Sequence, residues 1–185
     1  MDPFHVVALP GDALDRCRQR VQQDTCGHRG RVGDPLYGIR RVLRTGCGLL
    51  ADRQHARLTS LFTADEHAAV EATWGTYHRI VFAYRHPDRR AGKTELTAVT
   101  KTISHGVPAG LPELSRLGRT LNQRAADVLA YFDRPGTSNG PTEAINGRLE
   151  PLRGTALGFR NLTNYITRRR LGTGGFRPRL HPLLR

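Results

Sequence analysis

Two acidic residues stand in local settings that could do chemistry. The first is Glu143, within Thr137-Ser-Asn-Gly-Pro-Thr-Glu-Ala-Ile-Asn-Gly-Arg-Leu-Glu150. Asn139 or Gly140 can cap a helix there, and Pro141 suits its first turn. At helical spacing Glu143, Asn146, Gly147 and Glu150 share one stripe, while Ile145, Leu149 and Leu152 lie opposite and can bury. The second is Asp2, in Met1-Asp-Pro-Phe-His-Val, a carboxylate held by a rigid proline just ahead of a helix. Carboxylates are the hard oxygen donors that Mg²⁺ prefers. Each also has a plainer use: Glu143 as a first-turn charge against the helix dipole, Asp2 as a cap. His5, in a first turn, reads as a solvated or packing residue rather than a catalytic one.

The surrounding composition points to a polyanionic partner. The chain has 185 residues, with 29 Lys+Arg against 16 Asp+Glu and a formal net charge of +13. All the basic residues except Lys93 and Lys101 are arginine, whose planar fork grips phosphate bidentately. The segment 134–185 is the most cationic, opposing Arg134, Arg148, Arg153, Arg160, Arg168, Arg169, Arg170, Arg177, Arg179 and Arg185 to Glu143 and Glu150 alone. Arg168–Arg170 can contact phosphate or serve equally as a solvated helix end. Cys17, Cys26 and Cys47 are odd in number and far apart, so neither a disulfide framework nor a zinc knuckle is expected. The expected setting is a reducing cytoplasm. The start has no basic region followed by an apolar run, and no stretch is long enough to span a bilayer, so no membrane role is expected.

The elements that must position these residues read as helices. Phe4, Val7, Leu14, Cys17 and Val21 mark one face of a first helix, ended by Gly27 and flawed by Pro10-Gly11, which should kink it or restart it at Asp12. A basic, glycine-rich stretch from Gly27 to Gly48 carries one short helical candidate, Pro35 to Arg44. A short helix from Asp52 closes on Leu58 and Leu61. Thr63-Ala-Asp-Glu66 reads as a capping box ahead of a helix bearing Val70, Trp74, Tyr77, Val81 and Tyr84, with its aromatics in a core. His86-Pro87-Asp88 stops it; Leu96, Val99 and Ile103 mark the next helix; Leu114, Leu117, Leu121, Ala125, Val128 and Phe132 mark the last of this middle region. No stretch alternates apolar and polar residues over strand length, and no repeat is evident.

Taken together, Asp-Pro-Phe-His-Val, a basic helix, a helical insertion, Ser138-Asn-Gly-Pro-Thr-Glu-Ala-Ile-Asn-Gly-Arg148 and Gly158-Phe-Arg-Asn-Leu-Thr-Asn-Tyr-Ile166 resemble the ISL3-family transposases over nearly the whole chain. The resemblance implies a DDE recombinase with an RNase H-like core, in which two Asp and one Glu hold two Mg²⁺ ions for DNA strand cleavage and transfer. Asp2 then corresponds to the family's second acidic residue and Glu143 to its third, both as catalytic metal ligands. Asn139 and Asn146 frame Glu143, and Arg148, Arg153, Arg160 and Arg168–Arg170 are implied DNA contacts.

The match also implies departures. The strand carrying the family's first Asp, the strand entering Asp2 and the N-terminal DNA-binding region are not in this sequence, which therefore reads as an N-terminally truncated, C-terminal portion. Glu150 stands where many members carry Lys. The expected fold is mainly α: a helical C-terminal fragment and helical insertion of an RNase H-like core, with most or all of the core sheet missing. The expected organisation is 1–48 as the start of the catalytic core, 49–133 as the helical insertion lobe, 134–172 as C-terminal core helices and 173–185 as a basic extended tail. Apolar surface is expected to stay uncovered around Val6–Val21 and Ile145–Leu152, and Asp2 is expected to approach Glu143. Function is expected to be that of a truncated transposase, inactive alone, with transposon-end DNA and an intact protomer as partners. The competing readings are a non-enzymatic DNA-binding or transposase-interacting regulator and a degraded remnant.

Overall fold

In a computed structural model, the described residues are 2–28, 30–134, 144, 147, 150, 163, 165–167 and 170. The chain divides into two compact units, Met1–Gly136 and Thr137–Arg185. Among the described residues every regular element is helical and there is no strand, as the absence of alternating sequence implied.

The first unit is built from α1 (Pro3–Cys26), α2 (Arg40–Arg44), α3 (Asp52–Phe62), α4 (Ala68–Arg85), α5 (Arg89–Ser104), α6 (Pro112–Gln123) and α7 (Ala125–Asp133). Gly27 ends α1 in the left-handed region, φ 71°, and its N–H returns to the Gln23 carbonyl. Pro10 does not restart this helix, which runs unbroken through it. An interior proline costs about 3 kcal/mol; here Pro10 and Gly11 are both buried, so packing offsets the lost backbone bond. Gly11 has a use of its own: the Arg44 guanidinium crosses α1 there, 3.0 Å from where a β-carbon would sit, and bridges Asp12 and Asp15.

Helix α1 lies between two apolar cores. Val6 and Ala13 join Ile80, Leu96, Val99, Ile103, Leu117, Leu121 and Phe132 in the core shared with α4 to α7. Leu14, Cys17 and Val21 join Leu36, Ile39, Leu43, Leu58, Leu61, Val70 and Tyr77 in the other. This corrects the expectation of bare apolar surface along Val6–Val21: Val6, Leu14 and Cys17 are fully buried, because helices from the middle region fold back over both faces of α1. Among the described residues, large apolar side chains that stay exposed include Phe4 at 74% and Phe82 at 58%. Trp74 and Tyr84 pack against the cores and Tyr77 is buried within one, as their spacing implied.

Three local expectations differ. Only Arg40–Arg44 of the Pro35–Arg44 segment is helical, since Gly38 takes φ 68°, a turn conformation. The Thr63–Glu66 capping box does not form: the Thr63 hydroxyl donates to the Ser60 carbonyl at 2.7 Å, and a 3₁₀ turn, Asp65–His67, leads into α4. The run from Leu114 to Phe132 is two helices, broken at Arg124. Two glycines set how closely helices approach. A β-carbon on Gly118 of α6 would land on the Ile103 carbonyl oxygen of α5, and one on Gly92 of α5 would land on the Ala83 carbonyl oxygen of α4. Ser104 Oγ further ties α5 to α6 through the Gly118 carbonyl at 3.0 Å.

In the second unit the described residues Ala144, Gly147, Glu150, Thr163, Tyr165, Ile166, Thr167 and Arg170 are all helical. The Thr167 hydroxyl donates to the Thr163 carbonyl at 2.9 Å.

Candidate functional site

Asp2 is the N-cap of α1. Its backbone is extended, φ −67° and ψ 135°, and Oδ1 accepts the Phe4 N–H at 2.8 Å, with Pro3 opening the helix as proline favours. The plainer use read from the sequence is therefore present. His5 is exposed beside it and meets the Phe4 ring edge-on, with centroids 5.6 Å apart.

Glu143, Asn139, Asn146, Arg148, Arg153, Arg160, Arg168 and Arg169 lie outside the described residues, and with them the expected approach of Asp2 to Glu143 and the expected apolar surface at Ile145–Leu152. Gly147 and Glu150, from the expected polar stripe, are helical and exposed, and Arg170 is likewise helical and exposed. Among the described residues no three His, Cys, Asp or Glu side chains gather where a metal ion could be held. Asp2, with one oxygen already accepting from the backbone, does not make a divalent-cation site with the described residues alone. The three cysteines are free thiols, and burial pushes the Cys17 thiol above its ordinary pKa, so it packs rather than reacts.

The first unit carries a polar feature that composition alone did not place. Arg20 of α1 reaches across to Glu113 in the first turn of α6 by a bidentate pair, Nε to Oε1 at 2.8 Å and a terminal nitrogen to Oε2 at 3.1 Å. The same nitrogen donates to the Gly110 carbonyl at 3.0 Å. Burial would push the Glu113 carboxyl up, but the Arg20 guanidinium outweighs it and holds the group below its ordinary value. Arg20 is correspondingly raised, chiefly by its bond to Glu113.

This clamp flanks a cleft of about 400 Å³ between α1 and α6, with Leu9, Ala13 and Leu117 among its apolar lining and Arg16, Arg116 and Arg119 among its polar lining. All three arginines are exposed, and none has an ion-pair partner among the described residues. By contrast, Arg40 and Arg44 are neutralised by Asp15 at 2.7 Å and 3.1 Å. Sequence reasoning missed the cleft. The available signal was Arg116-x-x-Arg119 on one helix face with Glu113 as its only acid, but its partner face on α1 lies nearly a hundred residues away.

The described residues form a mainly helical, arginine-rich protein in which Asp2 caps α1 and a basic cleft lies between α1 and α6. A family model described as "Transposase" matches residues 1–169, and the chain belongs to that family, the ISL3 transposases. The transposases for insertion sequence element IS1557 from two strains of Mycobacterium tuberculosis are each 27% identical to it over 199 residues. Each alignment covers 97% of this chain and 43% of the relative, so the chain spans less than half the length of the curated relatives it matches. No solved structure matches it.

Proposed function

We propose that this chain acts in DNA transposition, binding transposon-end DNA through its arginines, with Asp2 and Glu143 as two of the acidic residues of a DDE set for which Mg²⁺ is the implied cation. The observation that carries the reading is the family match across residues 1–169, supported by relatives described as transposases and by a net charge of +13. On the proposed assignment Arg148, Arg153, Arg160 and Arg168–Arg170 contact phosphate, and Asn139 and Asn146 frame Glu143. A DDE set needs a third acidic residue beside Asp2 and Glu143, so residues 1–185 by themselves are expected to bind DNA without cutting it.

The test is a binding and nicking assay with duplex DNA. Affinity should fall by orders of magnitude between low and physiological salt through counterion release, with weak sequence preference. Replacing Arg168–Arg170 with alanine should flatten the salt slope by about one unit per lost contact. Glu143→Gln should leave binding intact. Nicking that requires Mg²⁺ and disappears in Glu143→Gln would overturn the inactivity of the chain alone. Absent or salt-insensitive binding would overturn the DNA reading altogether.

A further inference from the structure

The cleft between α1 and α6 presents three guanidinium groups with no carboxylate among the described residues to balance them. The one acid in its wall, Glu113, is already taken by Arg20. That clamp also fixes the two helices against each other, so the cleft is formed before any ligand arrives. Guanidinium forks facing a shared opening match phosphate oxygens in charge and in hydrogen-bond geometry. The apolar lining, Leu9, Ala13 and Leu117, offers no donor or acceptor, and the neutral hydroxyl beside it, Thr120, already donates to the Arg116 carbonyl at 3.0 Å, so little in the cleft could read a base edge. Its apolar surface suits the hydrocarbon side of a deoxyribose. A cleft of about 400 Å³ takes part of one strand and not the width of a duplex.

We propose that this cleft is a backbone-binding site for one DNA strand, in which Arg16, Arg116 and Arg119 contact consecutive phosphates irrespective of sequence. The proposal rests on the DNA reading above, and it adds a site in the first unit, separate from the arginines of 134–185. It makes Glu113 a positioning residue, which keeps Arg20 away from the phosphates and holds the cleft walls in place.

The experiment compares the wild-type chain, the triple variant Arg16→Ala/Arg116→Ala/Arg119→Ala and a charge-matched control, Arg41→Ala/Arg53→Ala/Arg90→Ala. Each is titrated with a duplex and with one of its single strands over a salt series. On duplex, the triple variant should lose about 2–3 units of the slope of log K against log salt, at about 0.9 per phosphate contact, and about 2 units on single strand, at about 0.7. The control should keep the wild-type slope. Arg16→Lys/Arg116→Lys/Arg119→Lys should also keep it, because charge rather than fork geometry sets counterion release, while binding more weakly. If circular dichroism shows the alanine triple to be unfolded, Arg116→Ala alone should lose about one unit. A wild-type slope in the triple variant, or an equal loss in the control, overturns this site while leaving the DNA reading standing. A wild-type chain that binds neither DNA at low salt overturns both.

Discussion

Replacing Glu113 with glutamine would remove the charge that holds α1 to α6 while keeping the shape of the side chain. The wild-type pair has two short contacts to Arg20, and the Glu113 side chain is only 11% exposed. Hydrogen bonds to charged groups contribute about 1.5–3 kcal/mol, and glutamine retains one acceptor. Arg20 is a third exposed, so water screens part of the interaction, and the net loss works out at about 1–2 kcal/mol. For a unit of this size that lowers Tm by roughly 3–8 °C. The sign with pH is fixed by the depressed carboxyl. Its folded pKa lies below the ordinary 4.5, so the stabilisation is complete above that value and is lost as pH falls through the folded pKa. Thermal melts of wild type and Glu113→Gln at pH 7 and at successive lower pH values should therefore differ at neutrality and converge in acid. Equal Tm at pH 7, or a gap that stays the same well below pH 4, would refute the clamp as an ionic one.

The remaining expectations concern packing, a buried histidine and the cap. Gly118→Ala should destabilise by about 1–3 kcal/mol in chemical denaturation, since the new methyl meets the Ile103 carbonyl and α6 must move off α5; an unchanged midpoint would show that the helices have room to shift. His78 is half-buried, with Nε2 3.2 Å from the Leu43 carbonyl oxygen, and burial depresses its pKa. Stability should therefore decline as pH falls from the ordinary value of 6.5 toward the lower folded pKa, and His78→Gln should flatten that part of the Tm profile. Asp2→Ala should cost about 1 kcal/mol through the lost cap, whereas Asp2→Asn, which still accepts from Phe4, should melt close to wild type. A catalytic role for Asp2 in an intact assembly would make Asp2→Asn inactive even though it is stable.

The helical class was legible in the residues because a helix is a local object. Leu114, Leu117 and Leu121 on one face, Gly27 after α1 and His86-Pro87-Asp88 after α4 each act within a turn or two of the chain, where periodicity and backbone chemistry operate. The family was legible for a related reason: Asp2 and the stretch around Glu143 are short motifs whose order along the chain is itself sequence information. What tertiary structure decided depends on which distant faces meet. Pro10 looked like a break, yet burial carries α1 through it; Val6 and Leu14 looked like surface awaiting a sheet, yet two helical cores cover them. Arg20 and Glu113 stand 93 residues apart, so nothing in either neighbourhood marks them as partners. Their pairing, and the cleft beside it, exist because close packing at Gly92 and Gly118 sets the paths of α4, α5 and α6 and so brings α6 alongside α1. A local pattern fixes which residues can be buried or charged together on one element, while the free energy of packing, summed over the whole unit, selects the element they face.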